Sequence, residues 1–190
     1  FGNLSTAEQE VLLCKQCQVC YLNQESLDYE SKSYRSLVET NPSVEGYYLA
    51  HDDEQLANLS QLNLHNVRNS IIADIGCGAG SFLDLVKGFA QSTIAVEPTK
   101  HFQGALVKKG HDTYSYAEEA LPSWEGKVDI VTSFAVLEHV ADPLQFITDA
   151  KKLLKPNGVL LLSTPNVDDW LIEFLPKTYD QFFFRYVHQW

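Results

Sequence analysis

The sequence predicts an α/β fold, an αβα sandwich around a mostly parallel sheet. Three observations lead there. Short apolar segments at 71–75, 93–96, 128–134 and 159–162, with a Tyr- and Thr-bearing strand candidate at 112–116, alternate with stretches of helical periodicity. The first segment runs directly into a glycine-rich turn, Gly76-Cys77-Gly78-Ala79-Gly80. The last, Val159-Leu160-Leu161-Leu162, is apolar without alternation, as in a strand covered on both faces.

Residues 1–45 are polar and irregular, with Tyr21, Tyr29 and Tyr34 scattered among acids and Ser, and read as an N-terminal arm. Residues 46–190 read as the core. Asp52 to Arg68 has helical spacing at Leu56 and Leu59, behind acids suited to a helix start. Ile71–Ile75 is a strand, and Phe82, Leu85, Val86 and Phe89 make one face of the helix after the glycines. Thr93–Val96 is a second strand, followed by a helix over 99–109. Asp112–Tyr116 is a third strand and Val128–Phe134 a fourth, the latter bounded by a turn at Glu125-Gly126. Asp142-Pro143 has the form of an N-cap followed by Pro at the first helical position. That helix carries Leu144, Ile147, Leu153 and Leu154 and stops at Lys155-Pro156-Asn157-Gly158, before the fifth strand. Parallel strands joined through helices need right-handed crossovers, which makes the fold Rossmann-like and puts ligands at the carboxyl ends of the strands.

Composition narrows the partners. The 190 residues suit one domain, or one domain with a small attachment, and 45% hydrophobic content excludes a disordered chain. Fourteen Lys and Arg against 25 Asp and Glu leave a net charge of −11. Such a surface repels phosphate backbones, so a small-molecule partner is expected and nucleic acid is not. No apolar run reaches the roughly 18 residues of a membrane span, so no membrane partner and a cytoplasmic location are expected. The chain contains no Met, which suggests either an internal fragment of unusual composition or Met residues left out of the written sequence. Oligomeric state is not legible in these features.

Three of the four Cys cluster as Cys14-Lys15-Gln16-Cys17-Gln18-Val19-Cys20, and Cys77 lies in the glycine turn. The Cys14/Cys17 spacing suits a tight turn that aims two thiolates at one metal, while a structural zinc site takes four ligands. The cluster therefore reads either as half a zinc site, Cys14 and Cys17, or as ordinary reduced cysteines. A disulfide fits least, because nothing in the sequence suggests secretion.

The strand ends carry the chemistry. After Asp74-Ile75, glycines at 76, 78 and 80 let the backbone turn sharply and a ligand lie against it with no Cβ between. A dinucleotide fingerprint places Gly or Ala three residues after Gly78, where this chain has Ser81, so a pyrophosphate cradle is the poorer match. Glu97-Pro98 ends the second strand, where a carboxylate can accept both hydroxyls of a ribose.

Together, Asp74-Ile-Gly-Cys-Gly-Ala-Gly80, Val96-Glu97-Pro98, Ala135-Val-Leu-Glu-His-Val-Ala-Asp-Pro143 and Leu153-Leu-Lys-Pro-Asn-Gly-Val159 resemble the class I S-adenosylmethionine-dependent methyltransferases. The resemblance covers about 70–166 and is nearest the small-molecule branch of ubiquinone-type O-methyltransferases and sugar C-methyltransferases. The Cys14-Lys-Gln-Cys17 stretch resembles the second half of a zinc ribbon that precedes some such domains, with Cys20 unplaced.

The resemblance implies that Gly76, Gly78 and Gly80 pass the methionine part of S-adenosylmethionine and that Asp74 orients its amino group. Glu97 would bind the ribose, Pro98 would lie beside the adenine, and Tyr116 with Ala117 would hold the adenine edge. Many members carry Asp where Tyr116 stands, which leaves Tyr116 a stacking role. Ser133 and Phe134 should border the sulfonium, and S-adenosylhomocysteine is the implied product. His139, with Glu138 beside it, is either a general base or a fastening of its loop. Tyr47, Tyr48 and His51 belong either to a lid over the cofactor or to aromatic packing. The family sheet has seven strands; residues 167–190 read as helix and aromatic loop, so the last two strands are expected to be absent and the core truncated. The implied reaction is O- or C-methylation of a small molecule. A nicotinamide-dependent oxidoreductase and a non-catalytic cofactor-binding module are the alternatives.

Overall fold

A computed structural model describes residues 10–22, 43–166, 168–170 and 174 of the chain. The described residues fall into two compact units. One contains a two-stranded antiparallel hairpin of β1 (Val11–Leu13) and β2 (Cys20–Leu22), in which Leu13 pairs with Cys20. Its turn is closed by Cys14 N–H donating to the Val19 carbonyl at 2.9 Å and Gln18 N–H donating to the Cys14 carbonyl at 2.8 Å. The same unit takes in Ala135–Pro143, with a 3-10 turn at Leu137–His139, and the described residues from Ser163 onward.

The other unit, 43–134 and 144–162, is built on the sheet. Its helix α1 (Val44–Ser60) starts where the Ser43 hydroxyl accepts the Gly46 N–H at 2.9 Å, several residues before the acidic stretch that marked its start in the sequence. A short α2 (Leu64–Val67) leads into β3 (Ile71–Ile75). There follow α3 (Ser81–Lys87), β4 (Ser92–Val96), α4 (Lys100–Lys108), β5 (Asp112–Tyr114), α5 (Ala117–Trp124), β6 (Val128–Phe134), α6 (Pro143–Leu153) and β7 (Leu154–Ser163).

The strands form one five-stranded sheet in the order β5-β4-β3-β6-β7, with β3, β4, β5 and β6 parallel where they pair. Strand order reverses at β3, which has β4 on one side and β6 on the other. Side chains alternate across it. Ile72, Ala95 and Ile130 join Phe82, Val86, Phe102 and Leu106 in one buried layer. Ala73, Ile75, Ile94, Val96 and Val131 join Ala120, Ala150 and Leu153 in the other. Strands buried on both faces are what a parallel sheet between helical layers requires, and the expected αβα arrangement is present.

Differences from the sequence reading lie in details. The α3 face is Phe82, Leu83 and Val86, while Phe89 falls beyond the helix, with Arg68 5.0 Å from its ring centroid. Helix α5 went unseen because it is short and carries Pro122. Strand β5 stops at Tyr114, and β7 begins at Leu154, before the Pro-Asn-Gly turn rather than after it. Tyr29 and Tyr34, and the expected absence of two further strands over 167–190, lie outside the described residues apart from 168–170 and 174.

Candidate functional site

Strands β3 and β4 run in register from Ile71 opposite Ser92 to Ile75 opposite Val96, so they end level. That brings the glycine turn after β3 beside Glu97 after β4. Gly76 N–H donates to the Val96 carbonyl at 2.7 Å, and Gly78 N–H donates to Glu97 Oε2 at 2.9 Å. The other oxygen, Oε1, accepts Thr99 N–H at 2.7 Å.

The turn needs its glycines. Gly76, Gly78 and Gly80 have φ of 77°, 55° and 89°, the left-handed region that side chains resist. A Cβ on Gly80 would stand 2.6 Å from Leu106 Cδ2, and one on Gly78 would stand 2.2 Å from Tyr47 Cζ.

Asp74 faces β6, where its register partner is Thr132. The Thr132 hydroxyl donates to Asp74 Oδ1 at 2.8 Å. Burial pushes the Asp74 carboxyl up to about 7; the Thr132 hydrogen bond opposes the shift and the Glu97 carboxylate adds to it. Asp74 is 3% exposed and Glu97 5%, so two carboxylates flank one glycine turn at the point where strand order reverses. In open α/β sheets that point is where ligands bind.

The remaining expected residues fall at the strand ends. Pro98 is half-buried after Glu97. Tyr116 is 43% exposed at the N-terminal boundary of α5, whose first residue, Ala117, is buried. Ser133 is buried with its hydroxyl donating to the Ile75 carbonyl at 2.8 Å, and the Phe134 ring sits edge-on to Phe82 at 5.1 Å. Glu138 is buried, with Oε2 accepting from the Thr164 hydroxyl at 3.3 Å; His139 N–H donates to the Val136 carbonyl at 2.9 Å. Both belong to the unit that contains Ala135–Pro143, and the sheet residues named above belong to the other.

Sequence reasoning missed Thr132, Thr99 and Asp84. Thr132 is one apolar-strand residue among seven until β3 and β6 are paired. In the hairpin, Cys20 sits opposite Leu13, and among the described residues no three His, Cys, Asp or Glu come together as a metal cluster.

The chain matches a family model described as a methyltransferase domain over residues 48–189. It is 31% identical to a Mycolicibacterium smegmatis protein named "Probable S-adenosylmethionine-dependent methyltransferase", over 54% of this chain and 40% of that one. It is 30% identical to the ubiquinone biosynthesis O-methyltransferase of Haemophilus ducreyi, over 66% of this chain and 62% of that one. A solved Thermotoga maritima structure, titled a SAM-dependent methyltransferase and possible histamine N-methyltransferase, superposes with TM-score 0.55 at 23% identity, covering 74% of this chain and 65% of that one. The chain spans about half the length of the curated relatives it matches first. The level ends of β3 and β4, the glycine turn between them and the family match agree: this chain belongs to the methyltransferase-domain family, and its fold is similar to that of a solved SAM-dependent methyltransferase.

Proposed function

We propose that the chain binds S-adenosylmethionine across the turn Gly76–Gly80 and directs methyl transfer to a small-molecule acceptor at O or C. The observation that carries this reading is the pair of buried carboxylates, Asp74 and Glu97, flanking a turn whose left-handed glycines leave no Cβ between backbone and ligand. The residues fit the group. Glu97 is a buried carboxylate beside the glycine turn, a group whose chemistry suits a ribose diol, and Asp74 is a buried acceptor suited to an amine. When bound, S-adenosylmethionine supplies a methyl group already activated on a sulfonium.

The protein's own part is placement. Glu97 orients the ribose, Pro98, Tyr116 and Ala117 border the adenine, and Ser133 and Phe134 lie at the end of β6 toward the reacting methyl. His139, with Glu138, takes the acceptor proton where the acceptor is a hydroxyl. The net charge of −11 favours a small acceptor over nucleic acid. All four Cys are free thiols in the structure, which suits a cytoplasmic location.

Calorimetric titration with S-adenosylhomocysteine and with NADH tests the reading. Saturable binding of the former alone is expected; binding of NADH without a response to S-adenosylhomocysteine overturns it.

Zinc at Cys14 and Cys17 is a separate part of the proposal. Backbone N–H groups of Cys17 and Gln16, with the Cys17 thiol, hold the Cys14 thiol below its ordinary range, as a thiolate ligand needs. Metal analysis of the purified chain is the check: stoichiometric zinc lost in Cys14→Ser supports it, and metal-free protein of full stability ends it.

A further inference from the structure

Helix α1 meets the glycine turn at Gly78 and Ala79 and the helix after it at Ser81 and Asp84. The Tyr47 ring lies on Gly78, where a Cβ would be 2.2 Å from its Cζ and 2.3 Å from its hydroxyl oxygen. The Tyr48 hydroxyl is 2.7 Å from the Ala79 carbonyl and 2.8 Å from Asp84 Oδ2. One step further along α1, the Ser81 hydroxyl donates to Asp52 Oδ1 at 2.5 Å.

Tyr47 is wedged rather than loosely laid over the turn. Its ring stacks on His51 at 4.1 Å and meets Phe102 edge-on at 5.3 Å. Burial pushes its hydroxyl above the ordinary tyrosine range, and the Asp74 and Glu97 carboxylates act in the same direction, so a neutral phenol lies against Gly78, whose N–H donates to Glu97 Oε2 at 2.9 Å. Both carboxylates have almost no exposed surface, Asp74 at 3% and Glu97 at 5%. A ribose diol is far larger than a water molecule and reaches Glu97 only if what covers it moves.

Val44, Tyr47, Tyr48 and Leu59 of α1 pack against the core layer beneath, while Leu49 stands 89% exposed. The polar grip adds to that packing at the glycine turn. Asp84 anchors that grip: Lys109 Nζ lies 2.6 Å from Oδ2 and 4.1 Å from the Tyr48 ring centroid, and His111 Nε2 lies 3.2 Å from Oδ1. His111 is in turn fixed by Thr93, Oγ1 to Nδ1 at 2.7 Å. Ion-supported hydrogen bonds of this kind are stronger than neutral ones.

We propose that Tyr47 is a gate over the ribose-binding carboxylate and that Tyr48 with Asp84 is its latch, so that an adenosyl ligand enters and leaves as α1 lifts from the glycine turn. This rests on the cofactor reading of that turn. Asp84 touches no ligand; it is a positioning residue acting through Tyr48 on Tyr47.

The test measures association and dissociation rates of S-adenosylhomocysteine by stopped flow on the full chain, with Tyr48→Phe, Asp84→Asn, Tyr47→Ala and the double variant Tyr47→Ala/Tyr48→Phe. Breaking the latch should raise the association rate by about fivefold, the weight of one net hydrogen bond. Tyr47→Ala should raise both association rate and affinity, and Tyr48→Phe should add nothing once Tyr47 is gone. Amide hydrogen exchange over 45–52 should quicken in Tyr48→Phe while exchange in β3 and β4 stays unchanged, which separates an opened latch from a damaged fold. Association in Tyr48→Phe that is unchanged or slower, or affinity that falls in Tyr47→Ala, overturns the gate. Binding seen only in the latch variants supports it most strongly, whereas no binding to any form removes the cofactor reading and the gate together.

Discussion

Glu97 and Gly78, nineteen residues apart in sequence, are joined by a 2.9 Å hydrogen bond from the glycine N–H to Oε2. The same carboxylate takes the Thr99 N–H at 2.7 Å, so one side chain ties the end of β4 to the turn after β3 and to the start of α4. On the proposed cofactor reading, ligand placement and local folding would depend on the same two oxygens.

Glu97→Ala should weaken S-adenosylhomocysteine binding by about tenfold, the loss of a charge-assisted hydrogen bond. It should also lower stability by about 1–3 kcal/mol, because two buried donors lose their acceptor. Calorimetry and urea denaturation on the same preparation read the two effects; unchanged affinity removes the ribose assignment.

Gly80→Ala should cost about 1–3 kcal/mol, from left-handed backbone strain and crowding. Its φ is 89° and the new Cβ would meet Leu106 at 2.6 Å. Trimming that contact with Leu106→Val should recover only the steric share in a double-mutant cycle by urea denaturation, since the backbone strain stays.

Asp74 gives the chain a pH signature. Its folded value of about 7 lies above the ordinary 3.8, so between those values the folded state holds the extra proton. The contribution of this group to stability is complete below the lower value and is lost as pH rises through the upper one. Asp74→Asn, which stays neutral, should be more stable than the parent at pH 8 and equal to it near pH 4, by urea midpoints across that range. Binding of the cationic amine of S-adenosylhomocysteine should tighten in the parent as pH rises through about 7 and stay flat in Asp74→Asn.

Phe82→Ala should cost about 3–5 kcal/mol, the range for truncating a buried aromatic in a packed layer. Phe82 is 1% exposed and packs edge-on to Phe134, so the cavity opens beneath the end of β6. Thermal and urea unfolding check the magnitude.

Much of this architecture was legible before any coordinates. Apolar segments of strand length alternate with helical spacing, and a parallel sheet between helical layers is the arrangement that buries both faces of such strands. The glycine turn and Glu97 were legible because their roles are local: left-handed φ calls for glycine, and a residue just past a strand sits at its carboxyl end. Helix α5 and the true start of α1 were not, because Pro122 interrupts the one and Gly46 sits in the first turn of the other, both poor helix formers.

The sequence by itself determined the strand-helix alternation, the left-handed turn and the residues at the strand ends, since each follows from neighbours within a few positions. Only the tertiary structure decided that Thr132 meets Asp74, 58 residues away, and that Tyr48 reaches Ala79 and Asp84 across 31 and 36 residues. Those meetings depend on strand register and on how α1 docks, which no local pattern encodes. The Tyr47 ring against Gly78 is a consequence of that docking.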